Sequence, residues 1–176
     1  MRSARCRCWS SCARLTAGCW IACAATELFV VLRIVVVGFG NPMRGDDGAG
    51  WLVADAAAQR WPGQLVVRTG QQLVPEWAAE LTDADVVYFV DASLEVDEAK
   101  LEALSTDEDS APVDGHDLAP AQLLLLTLAA FGRAPRGFVL HVPAVNFEFG
   151  DMLSPTATHG VERAVRLLDA ALNSVP

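Results

Sequence analysis

Two adjacent carboxylates, Asp46 and Asp47, sit in a loop with glycines at 38, 40, 45, 48 and 50. That loop follows an apolar, β-branched run at 34–37. Asp91 follows a second apolar run at 86–90, and His116 stands just ahead of a strongly helical stretch. If the two runs are neighbouring parallel strands, their carboxyl ends converge on one crevice, the usual place for a site in an open α/β sheet. Two carboxylates and an imidazole would then form a mixed oxygen and nitrogen donor set suited to a borderline divalent ion such as nickel or zinc. The same residues also have plainer uses. Asp47 could tighten a glycine-rich turn, Asp91 could cap a loop, and His116 could lie on the surface at a helix start. The pattern alone leaves both accounts open.

Such a site needs elements to hold it, and the chain supplies them in alternation. Continuous apolar runs bounded by turn residues predict buried strands at 34–38, 65–69, 86–90 and 136–142. The third strand is expected to deliver Asp91, Ala92 and Ser93 to the loop beyond its end. Helices are predicted over 50–59, over 74–81 with Pro75 in the first turn, and over 119–131 with Pro120 at the start and Gly132 as the C-cap. The last helix begins at Ser154 and Pro155, a good cap followed by a good first residue, with Val161, Val165, Leu168 and Leu172 as its apolar face. Residues 94–115 are acidic and poorly patterned, apart from a short edge strand at 100–104. The alternation predicts an α/β protein, a three-layer α/β/α sandwich around a mostly parallel twisted sheet. Neither a repeat nor a second domain interrupts residues 32–176.

Composition narrows the function. With 52% apolar and 20% charged residues the chain can build a core. Its net charge is −9, and Lys100 is its one lysine. The first 32 residues set Arg2, Arg5, Arg7 and Arg14 against Glu27, so the rest is more acidic than the total suggests. That excludes a nucleic-acid surface, which needs clustered cations. All five cysteines lie between positions 6 and 23, leaving the body with neither a disulfide framework nor a cysteine nucleophile. The body therefore reads as cytoplasmic. Gly18, Thr26 and Glu27 break the apolar part of the leading segment, which is too short for a comfortable membrane span. Its cysteines lack the paired spacing of a zinc site. Residues 1–31 are expected to be a non-conforming tail, upstream of a native start near 30–32 or disordered, with a signal segment the least favoured reading. A monomer without a membrane partner is expected.

The stretch Gly38-Phe39-Gly40-Asn41-Pro42-Met43-Arg44-Gly45-Asp46-Asp47-Gly48-Ala49-Gly50 resembles the signature loop of the hydrogenase maturation endopeptidases. Val90-Asp91-Ala92, His116 ahead of Leu118-x-Pro120-x2-Leu123-Leu124, and Phe149-Gly150-x2-Leu153-Ser154-Pro155 follow in that family's order. The resemblance covers residues 34 to about 172. It implies an aspartic-type endopeptidase that trims a C-terminal extension from a nickel–iron hydrogenase large-subunit precursor after nickel insertion. It also implies that Asp47, Asp91 and His116 recognise nickel supplied by the substrate rather than permanently bound. Asp47 and Asp91 would serve the chemistry, and Asp46 is a further candidate as base or supporting acid, its other use being to favour the N-terminus of the following helix. The bond would be broken by carboxylate-activated water, because no Gly-x-Ser-x-Gly elbow marks a nucleophile and Ser93 reads better as a loop hydroxyl. The segments 94–115 and 143–150 are the expected specificity surfaces.

Three rivals remain. A dinucleotide enzyme would want a third glycine where Met43 stands, and Asp46-Asp47 would repel its pyrophosphate. A peptidyl-tRNA hydrolase would want a basic surface that this acidic body lacks. A non-enzymatic protein of the same fold, binding a nickel-bearing precursor without cutting it, would be favoured by loss of one of the three donors, and none is missing.

Overall fold

The computed structural model describes residues 32–105 and 118–174. The expected tail over 1–31 lies outside the described residues, as do His116 and part of the acidic segment. Five strands form one sheet in the order β2-β1-β3-β5-β4: β1 Ile34–Phe39, β2 Leu65–Gly70, β3 Val86–Ser93, β4 Lys100–Ala103 and β5 Arg136–Pro143. All neighbours are parallel except β4, which lies antiparallel on the edge beside β5. Among the described residues four α-helices cover the two faces: α1 Ala49–Arg60, preceded by a 3-10 turn at Gly45–Gly48, α2 Trp77–Leu81, α3 Pro120–Phe131 and α4 Pro155–Ser174. This is the expected three-layer sandwich.

The period-two alternation of strand side chains divides the core into two sides. Val36, Val86, Tyr88, Val90, Leu140 and Val142 pack with α1 and α4. Val35, Val37, Val87, Phe89 and Val139 pack with α2 and α3. Both faces being covered explains why these strands read as unbroken apolar runs rather than alternating ones. Among the described residues no helix is long and apolar enough to cross a membrane.

Two boundaries, by more than a residue, and one helix face differ from expectation, each for a physical reason. Helix α2 starts at Trp77 rather than 74, because Trp77 and Ala78 donate to the carbonyls of Val74 and Pro75, three residues back, which makes a tight turn there. Strand β3 runs on through Ser93, because β5 continues to pair with it: Asp91 faces His141, Ala92 faces Val142 and Ser93 faces Pro143. Asp91 is thus a strand residue and not part of the following loop. On α4 the buried stripe is Ala157, Gly160, Ala164, Leu168 and Leu172, with Val161 and Val165 flanking it half-buried. Small residues at 157, 160 and 164 let this helix approach the sheet, which apolarity alone did not mark. Ser154 is its cap as expected, its Oγ accepting from Ala157 N–H at 3.1 Å. Gly132 is the left-handed residue after α3, with φ 72°.

Close backbone approach fixes α1 on β1. A Cβ at Gly38 would collide with the Gly50 carbonyl oxygen and come within 2.8 Å of the Ala54 Cβ. Gly38→Ala is therefore expected to lower stability by about 3 kcal/mol through overpacking against backbone. The shift of the urea midpoint measures it, and a midpoint within error of wild type would refute the close approach.

Candidate functional site

The strand order reverses at β1. Strand β2 lies on one side and β3 on the other, so the carboxyl ends of β1 and β3 flank a topological switch point. Pairing between these two strands stops at Gly38 and Val90, while β3 continues along β5. A cleft of about 570 Å³ opens there. Phe39 lines it from the end of β1, Gly40, Asn41, Arg44 and Asp47 from the loop that follows, Gln71, Gln72 and Leu73 from the segment after β2, Asp91 from β3, and Leu118, Ala119 and Pro120 from the start of α3. A second hollow of about 460 Å³ opens between the sheet and α4, where Arg136 is the one charged residue in its lining. None of the described residues that line it is an acid or a histidine, so attention falls on the first.

Asp47 is set by the curl of the glycine loop. Gly40 has φ 123°, and the Asp47 backbone carbonyl occupies the space a side chain would need, with Asp47 Oδ1 only 3.0 Å from an ideal Cβ. The Asn41 N–H donates to Asp47 Oδ2 at 2.8 Å, and the Asn41 side-chain oxygen accepts from Met43 N–H at 3.0 Å. Gly40 N–H and the Trp51 indole both donate to the Gly70 carbonyl, tying the loop to the end of β2. The carboxylate is thus held beside the cleft by backbone.

Asp91 is the electrostatically unusual group. Burial pushes its carboxyl up to about 7. The Ala92 N–H works against that shift, and the nearby charge of Asp47 adds to it. Two acids close enough to perturb each other in one cleft form a place where a cation would be welcome.

Asp46, its neighbour in sequence, has a different setting. Its side chain is fully buried and faces away from the cleft, towards the segment after β5. It accepts from Val145 N–H at 2.8 Å, Asn146 N–H at 3.0 Å, Ser154 N–H at 2.6 Å and Ser154 Oγ–H at 2.8 Å. Burial alone would raise its pKa, yet these four bonds together hold it below the usual carboxylate value. Gly45 N–H to the Gly150 carbonyl, Gly150 N–H to the Met43 carbonyl, and Arg44 Nε to the Phe147 carbonyl complete the tie.

Of the residues singled out in the sequence, Asp47 and Asp91 share the cleft, Asp46 does not line it, and His116 lies outside the described residues. Among the described residues no group of three His, Cys, Asp or Glu is placed to hold a metal. Arg44, Gln71 and Gln72 also line the cleft, and the sequence carries no signal for them: Arg44 sits in the glycine loop without distinctive spacing, and the two glutamines follow an otherwise ordinary strand.

No protein-family model matches this chain, and no curated protein does. Solved structures do. The hydrogenase maturating endopeptidase HybD from E. coli is similar with a TM-score of 0.67 at 23% identity, covering 81% of this chain and 93% of that one. The [NiFe] hydrogenase maturation protease HybD from Thermococcus kodakarensis has a TM-score of 0.64 at 19% identity, covering 80% and 99%. A hydrogenase 2 maturation peptidase from a Thaumarchaeota archaeon has 0.60 at 24% identity, covering 80% and 97%. The likeness is one of fold, and it spans nearly the whole length of each of those proteins.

Proposed function

We propose that this chain is an endopeptidase that removes the C-terminal extension of a nickel–iron hydrogenase large-subunit precursor once nickel is in place. The reading is carried by the meeting of Asp47 and Asp91 at one cleft, on a fold shared with hydrogenase maturation peptidases. Nickel arrives as part of the substrate, and Asp47, Asp91 and His116 offer it two oxygen donors and one nitrogen donor. Hydrolysis adds a water oxygen to the scissile carbonyl carbon while a carboxylate takes the water's proton. The C–N bond then breaks and that proton passes to the leaving amine. Asp91, pushed up to about 7 while no metal is near, must release its proton to bind the substrate's nickel, which makes recognition pH-dependent. Asp47 is the fixed ligand, since the Asn41 N–H holds its carboxylate in place. Asp46 takes a positioning role, because all its strong hydrogen bonds go to the 145–154 segment. The reaction is assigned to the cytoplasm, with one chain acting alone.

The test incubates the full chain with nickel-loaded and nickel-free precursor and follows the mass of the large subunit. Loss of the extension is expected from the loaded form alone, and both Asp47→Asn and His116→Ala should slow it without lowering the melting temperature. Equal cleavage of both forms would remove the metal from recognition. Full activity of His116→Ala would remove that residue from the site. Binding of loaded precursor without any cleavage would leave a non-enzymatic precursor-binding protein.

A further inference from the structure

Among the described residues, the large apolar side chains most exposed to solvent are not scattered. Met43, Leu94, Val145, Phe149 and Met152 are each more than 60% exposed, and they fall in the loops that follow β1, β3 and β5. These are the loops at the cleft end of the sheet. Met43 stands between Asn41 and Arg44, which line the cleft, and Leu94 stands three residues beyond Asp91, which also lines it. The Gly150 N–H bonds the Met43 carbonyl at 2.9 Å, which brings the Met43 and Phe149 loops side by side.

Folding does not account for this collar. Phe149 is 88% exposed and Met152 78%, so neither adds to the core. Yet the segment that bears them is braced by the buried Asp46 carboxylate, by Arg44 Nε on the Phe147 carbonyl, and by the Asn146 side-chain oxygen on Glu148 N–H. A loop held this firmly with its apolar side chains turned outward is organised in advance for contact, which lowers the ordering cost of binding. Aromatic and methionine side chains are also the types enriched in protein interfaces. Acids lie in the same loops. Glu95, Glu148 and Asp151 are exposed, and among the described residues no ion pair engages them. The partner that fits has an apolar patch flanked by basic residues. An anionic membrane surface, which would repel these carboxylates, fits poorly.

The geometry points to this collar as the docking surface for the folded body of the protein substrate, distinct from the cleft that receives the segment to be cut. The inference rests on the proposed function, since it names the substrate's body as the occupant. A cleft of about 570 Å³ holds a short stretch of chain, and the collar outside it grips what that stretch is attached to. Recognition is then of a folded protein rather than of a peptide sequence.

The test measures KM and kcat for the full chain on nickel-loaded large-subunit precursor, with the double variant Phe149→Ser/Met152→Ser as the probe of the collar. Both side chains are exposed, so the melting temperature should stay at the wild-type value. KM, and the Kd for precursor by calorimetry, are expected to rise at least about tenfold, as for interface anchors, with kcat within about twofold. Wild-type cleavage with an unchanged KM in the double variant would overturn the docking surface and leave the function standing. A wild type that neither binds nor cuts precursor would overturn both. Dimerisation in sedimentation, or binding to phosphatidylglycerol vesicles, that is lost in the double variant would assign the collar to another occupant and overturn the proposal.

Discussion

Asp91→Asn is expected to slow cleavage of nickel-loaded precursor by about 100-fold, because it removes one of the two oxygen donors offered to the metal, and yet to make the protein more stable at pH 8. Both effects follow from removing the charge on this carboxylate. Burial, opposed by the Ala92 N–H and reinforced by the charge on Asp47, raises the Asp91 pKa from 3.8 to about 7. The folded chain therefore keeps a proton that the unfolded chain gives up between about pH 4 and pH 7. Stability contributed by this group is fully present below the lower value, falls as pH rises through that window, and stays at its lowest above about 7. The full shift corresponds to a ceiling of about 4 kcal/mol. Asp91 keeps partial contact with solvent at the cleft, so about 1–2 kcal/mol is the realistic penalty. Asn has the same shape without the charge. Its melting temperature should exceed that of wild type by about 3–6 °C at pH 8, and the difference should vanish near pH 4. Thermal melts at both pH values decide it, and a variant less stable than wild type at pH 8 would contradict the electrostatic account.

Asp46→Ala has the opposite signature. The substitution leaves the N–H groups of Val145, Asn146 and Ser154 and the Ser154 hydroxyl without their acceptor. Loss of a buried charged acceptor with several donors costs about 3–5 kcal/mol. The Asp46 pKa is lowered by its bonds, so its stabilisation is present above about pH 4 and is lost as pH falls through its folded value. Wild type and Asp46→Ala should therefore differ widely in urea midpoint at pH 7 and converge in acid. Ser154→Ala should cost less, because Asp46 retains three donors while α4 loses the side-chain cap on Ala157. If Asp46→Ala unfolds at the same urea concentration as wild type at pH 7, the buried carboxylate is not what fastens the loop after β5 to the glycine loop.

Much of this was legible in the chain. The apolar runs at 34–37 and 86–90 named the two central strands, and Ser154-Pro155 and Gly132 named helix ends, because their chemistry is local. The extension of β3 through Asp91, Ala92 and Ser93 was not legible. Aspartate and serine favour turns, and what keeps them extended is pairing with β5, about fifty residues away. Nor could the chain separate Asp46 from Asp47. Two identical neighbours in a glycine loop look alike until the loop takes shape. One then turns to the cleft and the other to donors about a hundred residues further along. Fold-level signals are periodic and short-range, whereas the division of labour between the two acids exists only in tertiary structure.

The two borders of the sheet bear on how the protein behaves in a crowded solution. A sheet border offers unpaired amides and carbonyls to any other chain, and long flat apolar borders seed aggregation. Here β4 closes one side with only four residues, two of them the oppositely charged, ion-paired Lys100 and Glu102. On the other side β2 sends Arg68 outward, where Glu80 of α2 engages it. A second copy seeking to extend the sheet would meet a short charged strip at one border and an arginine anchored to a helix at the other. The parallel core strands, slow to assemble and apolar on both faces, are thereby kept from templating fibrils once folded.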